Sequence, residues 1–357
     1  MKNNPLITHN DRIYYIDALR AAAILLVILA HTVAAYGPTN WIAPLQFGGS
    51  GVDLFFLLSG WLIGSQLYKE FRTYNNIDVK RFWIRRWLRT LPAYYAVLFA
   101  TLAQQYITKE SVASPIPHLL FFQNYTDMTY FTISWSLALE EQFYLLIAPI
   151  VFFFHKFNNK IQTSCLIILL LLPSVFRHLG WYESPEETHV RWDCCLMGVL
   201  LANVYHHHPK IWKKIVPFSL ILLLVCVLLY LSVFWTRWLP LYGMFAQPSP
   251  LVLAIIFAGF LIYAVNRPIK KLRFGHTIIM HVSTRSYSMY LLHVEALAIT
   301  KKLGFDSNFF LFTVITIVLT MLLSEILFKF VEQPLLRKRA DYGFSSARTK
   351  VEGSVTL

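Results

Sequence analysis

The chain has 357 residues, of which 56% are hydrophobic and 14% charged, with a formal net charge of +13 and a mean hydropathy of +0.51. Soluble domains carry about 25% charged residues, so the composition excludes an ordinary soluble enzyme and fits a polytopic membrane protein. The positive charge does not point to nucleic acid, because Lys and Arg fall between apolar runs rather than on one soluble face.

Ten runs are long or apolar enough to be read as spans, at the 17–25 residues a membrane helix needs: 14–36, 51–68, 91–107, 136–154, 161–176, 192–205, 215–235, 250–265, 281–300 and 309–331. The sixth and eighth are short. Pro92, Pro173, Pro217 and Pro240 lie near run ends, where they are expected to mark boundaries. With both termini inside, the inner segments hold 23 of the 32 Lys and Arg and the outer segments 6, a bias that predicts N-in, C-in topology. The expected fold is therefore all-α. Residues 1–339 form the membrane domain, and 340–357 a polar, disordered cytosolic tail. No cleavable signal is expected, since the first run can span and His31 interrupts it. Cys165, Cys194, Cys195 and Cys226 lack metal-site spacing and read as small core residues. Neither a functional metal site, at His206-His207-His208 or elsewhere, nor a permanently bound cofactor is expected.

In the first run Arg20 and His31 stand eleven residues apart. That is close to three helical turns, so both side chains point to nearly the same face, roughly 16 Å apart along the axis. Ionisable groups at membrane depth usually face a bundle interior or a polar cavity. The second run opens on Gly51-Val52-Asp53-Leu54-Phe55-Phe56, with Asp53 at its outer end. A basic loop then reads Lys80-Arg81-Phe82-Trp83-Ile84-Arg85-Arg86-Trp87-Leu88-Arg89. Arg86 and Arg89 share a helix face, Arg85 lies near it, and paired guanidinium forks suit phosphate. The same residues also serve as a positive-inside anchor with interfacial tryptophans.

The fourth run begins Trp135-Ser136-Leu137 and carries Glu140 and Glu141 into an apolar stretch, with Ser136 a candidate cap. Arg191 and Asp193 open the sixth run, either pairing with each other or facing a ligand. Ser286-Tyr287-Ser288 precedes His293 in the ninth run, Glu325 lies in the tenth, and Glu332-Gln333-Pro334 closes it.

In this order the motifs resemble the acyltransferase family 3 membrane proteins, which include bacterial O-antigen and exopolysaccharide O-acetylases. The resemblance covers about residues 12–339. It rests on Arg20-x10-His31, Gly51 to Phe56 with Ser59-Gly60, Arg86-x-x-Arg89, Trp135 to Tyr144, Ser286 to Ser288 with His293, and Glu332-x-Pro334. Ala18, Trp61 and Glu295 depart from the usual glycine, phenylalanine and proline. The form without an appended esterase-like domain is expected. The resemblance implies acetyl transfer from cytosolic acetyl-CoA to a sugar hydroxyl outside the bacterial inner membrane, most readily in lipopolysaccharide O-antigen or another surface polysaccharide. The partners are then acetyl-CoA, the surface glycan or a lipid-linked sugar, and membrane lipid. Arg20, Arg85, Arg86 and Arg89 would bind the donor. His31 would act as general base, or as an acyl-carrying nucleophile. Glu140, Glu141 and Asp53 would orient His31 or bind the sugar, and Trp135, Ser136, Arg191, Asp193 and His293 would contact the acceptor. The rival from another class is a transporter or flippase for a lipid-linked sugar or small acid, which intramembrane Arg, His and Glu suit equally.

Overall fold

A computed structural model describes residues 14–37, 41–108, 114–126, 130–238, 249–266, 275–340 and 342. The described residues contain helices and no strand. The helices are α1 (Tyr14–Tyr36), α2 (Gly51–Tyr74), α3 (Val79–Thr108), α4 (Ile116–Leu119), α5 (Trp135–Phe154), α6 (Asn159–Leu179), α7 (Thr188–Arg191), α8 (Asp193–His207), α9 (Pro209–Ile215), α10 (Ser219–Trp238), α11 (Pro250–Val265), α12 (Gly275–Lys302), α13 (Phe309–Leu327) and α14 (Gln333–Ala340). Each of the ten predicted runs falls on one of these helices. Six helical stretches among the described residues are long and apolar enough to cross a membrane. The chain is an all-α polytopic membrane protein.

Two boundaries differ from the sequence reading. The basic segment 79–89 is not a loop: α3 starts at Val79 and runs through Pro92. Likewise α6 runs through Pro173. Proline removes one backbone donor, and buried membrane helices tolerate this where neighbours satisfy the freed carbonyl. Pro240 and nearly all of the predicted tail, 340–357, lie outside the described residues.

Local chemistry sets several ends. Asn158 and Asn308 accept hydrogen bonds from the amides of Ile161 (2.9 Å) and Leu311 (3.1 Å), capping α6 and α13. Gly180 ends α6 in the left-handed region, at φ +68°. Between α13 and α14 a π-turn at Phe328–Glu332 turns Glu332 inward, where Ser288 of α12 donates to it.

The core gathers around α2, the most enclosed of the six crossing stretches. Its Gly60 lies against α8 so closely that a Cβ there would sit 2.0 Å from the Cys195 carbonyl oxygen, and one on Gly198 would sit 2.2 Å from that of Leu57. Small residues permit this backbone approach, which is the usual basis of helix association in lipid. By contrast α6, α10 and α13 present rows of exposed apolar side chains, such as Ile168, Leu228 and Phe310. Those faces read as the lipid-contacting periphery.

Candidate active site

One cavity of about 80 Å³ lies among α1, α2, α3, α5 and α12. Arg20, Arg86 and Arg89 line it, with Ser59, Glu140, Tyr144 and Tyr290. The continuation of α3 through Pro92 places Arg86 and Arg89 in the same cavity wall as Arg20 of α1. Arg86 is buried, its guanidinium over the rings of Tyr144 (5.3 Å) and Phe82 (5.8 Å). Arg85 does not line the cavity; it turns back to donate to the Tyr342 carbonyl at 2.7 Å.

The polar wall is ordered by hydrogen bonds. Tyr144 donates to Glu140 Oε2 at 2.8 Å, so Ser59, 2.6 Å from the same phenol, donates to Tyr144. Glu141 accepts from Thr90 at 2.6 Å, and its other oxygen has no partner among the described residues. Ser136 and Tyr290 lie 2.6 Å apart and both reach the Ile133 carbonyl. Ser136 therefore ties α5 to α12 rather than capping its helix, which has no side-chain cap bond.

His31 is not beside a carboxylate. Its Nδ1 lies 2.9 Å from the Val27 carbonyl and 3.3 Å from Nε2 of His293. His293 is fully buried, and its Nδ1 sits 2.6 Å from the Tyr290 carbonyl. Carbonyls only accept, so both Nδ1 atoms carry the hydrogen and both Nε2 atoms keep a lone pair. His31 Nε2 has no hydrogen-bond partner among the described residues. Its free lone pair is available for a substrate proton. The cavity and the imidazole pair meet through Tyr290, which lines the one and holds the other.

The expected Arg191–Asp193 pair is not formed. Arg191 bonds Asp53 at 3.1 Å and stands over the Trp135 ring, while Asp193 takes both prongs of Arg177 at 2.8 Å. Arg191 ends α7 and Asp193 opens α8, so the two turn toward different neighbours, and α2 and α6 supply those partners. Asp53 is thus paired with Arg191 and forms no hydrogen bond or ion pair with His31 among the described residues. Glu325 is likewise taken by Arg285 and Lys329.

The acyltransferase domain profile of acyltransferase family 3 matches residues 13–329. The chain belongs to this family. Its curated relatives in the acyltransferase family include peptidoglycan O-acetyltransferase OatA of Listeria monocytogenes, 26% identical over 90% of this chain and 55% of that protein. A Bacillus subtilis protein, YrhL, provisionally named a peptidoglycan O-acetyltransferase, is 27% identical over 92% of this chain and 55% of its own. A provisionally named O-acetyltransferase of Staphylococcus aureus strain COL is 27% identical over 90% and 57%. The chain therefore spans a little over half the length of these relatives. No solved structure matches it.

Within the family frame, the sequence assigns no site role to Tyr144, at the end of the Trp135–Tyr144 motif, or to Tyr290, between Ser288 and His293, and it offers Ser59 as a small residue for helix packing. Tyrosines are common in membrane helices, and only the packing shows which phenols meet carboxylates. Arg177, near the end of α6, closes a buried ion pair with Asp193. Gln142 bridges Asn124 (2.9 Å) and Thr188 (2.6 Å), which fixes the Gln123-Asn124-Tyr125 turn against α5 and α7.

Proposed function

We propose that this chain is a multi-pass membrane O-acetyltransferase of the bacterial inner membrane, oriented with both termini in the cytosol. The donor is acetyl-CoA, and the acceptor is a hydroxyl of an extracytoplasmic glycan. The observation that carries this reading is that the cavity arginines and the imidazole pair, which does not itself line the cavity, meet at Tyr290. Three arginines suited to phosphate stand in the cavity wall, and Tyr290 in the same wall holds His293 against His31.

In this scheme the arginines bind the donor from the cytosolic side and the thioester arm extends along the cavity. His31 Nε2 takes the proton of the acceptor hydroxyl as its oxygen attacks the acetyl carbonyl carbon. The C–O bond forms, the C–S bond breaks, and the thiolate leaves and recovers a proton. The developing imidazolium keeps its Nδ1–H on the Val27 carbonyl and on the His293 lone pair. His293 is thereby a second acceptor beside the Val27 carbonyl, helping to hold the tautomer and the ring orientation, the role an orienting acceptor plays in catalytic triads. The Ser59–Tyr144–Glu140 chain is placed to bind polar groups of donor or sugar, with Trp135 and Arg191 toward the acceptor.

For the acceptor, the sequence reading favours lipopolysaccharide O-antigen or another surface polysaccharide. Peptidoglycan enters because the names of OatA and YrhL specify it. Both fractions are therefore to be analysed by mass spectrometry, before and after mild base, from cells with the intact gene, a deletion and His31→Ala. A base-labile acetyl increment in one fraction, present only with the intact gene, is expected and names the acceptor. Unchanged glycans in all three strains would sink the reading and favour transport of a lipid-linked sugar or small acid.

A further inference from the structure

Two groups of arginines stand out among the described residues. Arg81, Arg177, Arg191 and Arg285 each pair with a carboxylate: Glu70, Asp193, Asp53 and Glu325. Arg85, Arg86, Arg89 and Arg339 form no ion pair among the described residues. Three of these four, Arg85, Arg86 and Arg339, also have a buried Nε with no hydrogen-bond partner there.

Arg339 belongs to α14, which packs on α3 near the arginine face. Its charged neighbours are Arg89, Arg86 and Arg85. The carboxylates of α5 and the π-turn form no ion pair with these arginines: Glu140 accepts from Tyr144, Glu332 from Ser288, and Glu141 from Thr90 through one oxygen, the other having no partner among the described residues. Buried like charges repel, and an unpaired buried guanidinium N–H loses its hydration without compensation. Four arginines from two helices, three of them with such an N–H, are stable together when an anion with several acceptor oxygens lies between them. Arg337 and Lys338, the residues before Arg339, are exposed, whereas Arg339 is half-buried toward α3. Tyr342, just past α14, is held by Arg85 through its carbonyl, so the end of α14 is fastened to the same cluster.

We infer that Arg339, with Arg85, forms the inner half of a polyphosphate site whose other half is Arg86 and Arg89, so that α14 is one wall of the donor pocket. The ligand class is a nucleotide bearing separated phosphates, as in an acyl-CoA. This inference rests on the acyl-CoA donor proposed above. Arg86 and Arg89 face the cavity and suit the phosphates nearest the reacting arm. Arg339 and Arg85 lie outside the cavity lining and suit the more distant ones.

The test is binding, measured on the full chain in nanodiscs by calorimetric titration with coenzyme A, without any acceptor. Arg339→Gln is expected to weaken coenzyme A at least tenfold, the loss of one charge-assisted contact. Dephospho-coenzyme A should show a smaller difference between wild type and R339Q if Arg339 holds the 3′-phosphate. Arg339→Lys, which keeps the charge and is the safer variant for folding, should recover part of the affinity. Arg337→Gln and Lys338→Gln should match wild type. Equal coenzyme A affinity in wild type, R339Q and R339K would overturn the inference. So would a loss of co-purified anionic phospholipid in R339Q, by native mass spectrometry, with coenzyme A binding unchanged. Failure of acetyl transfer in cells leaves the binding result standing, so the two readings fail separately.

Discussion

At the scale of single residues, function turns on where protons sit. His31 and His293 face each other across α1 and α12 with ring centroids 4.8 Å apart. The carbonyls of Val27 and Tyr290 assign the hydrogen of each ring to Nδ1. Replacing His293 with Phe keeps a flat ring but removes the acceptor. We expect His293→Phe to lower kcat by about 10–100-fold with little change in KM for acetyl-CoA, because an orienting group acts on the base and not on donor binding. Asn or Gln at this position should restore part of kcat. A KM defect with normal kcat would instead assign His293 to acceptor or donor contact. Histidine-selective ¹⁵N spectra give a second check: wild type should show His31 with an unprotonated Nε2, a signature that a purely structural role for His293 would leave unmoved in the Phe variant.

At the scale of elements, close packing and a buried turn matter most. The α2–α8 contact leaves no room at Gly60 or Gly198, where an added Cβ would meet backbone oxygen rather than a movable side chain. Gly60→Ala should therefore force the helices apart and destabilise the protein by about 1–3 kcal/mol, readable as a lower Tm in detergent. An unchanged Tm would mean that the helices separate freely. The segment around α4 carries a different vulnerability. His118 is buried, stacks on Tyr130 and donates from Nε2 to the Tyr130 carbonyl at 3.2 Å. Burial holds its pKa below the ordinary 6.5, more than the Tyr130 carbonyl raises it. A histidine depressed in the folded state stabilises the fold fully above its unfolded pKa, and this contribution is lost as pH falls through 6.5 and below. Hydrogen exchange over 114–126 should accordingly speed up at pH 5.5 relative to pH 7.5, beyond the intrinsic rate change. His118→Phe should remove that pH dependence.

For the whole molecule, the arrangement gathers unpaired arginines on one side, where the Arg81–Glu70 pair also lies, and sets two other buried ion pairs apart from them. The unpaired arginines gather at the start of α3 and on α14, while Asp53–Arg191 and Arg177–Asp193 lie where α2, α6 and α8 meet. In the proposed orientation, with both termini inside, the first group would face the cytosolic donor and the second the extracytoplasmic acceptor. Cysteines introduced at Lys156 and Trp181, in a chain freed of native thiols, test this. A membrane-impermeant maleimide added to intact spheroplasts should label Trp181→Cys and spare Lys156→Cys. The opposite pattern would reverse the orientation and place the donor site on the wrong face.

Much of this was legible in the chain itself. Apolar runs, separated by Lys and Arg, fixed the membrane class and the helical positions, because lipid admits few backbone solutions other than helices. The eleven-residue spacing of Arg20 and His31 placed both on one helical face. The family followed from the order of motifs over nearly the whole chain. Partnerships were not legible. Nothing local tells Arg191 to choose Asp53 over Asp193 two residues away, or His31 to face His293 over a carboxylate. Those choices depend on how helices remote in sequence rotate and approach. The chain determined what could be buried and roughly where; tertiary packing decided which buried charges were paired, which were left for a ligand, and which histidine nitrogen was left bare.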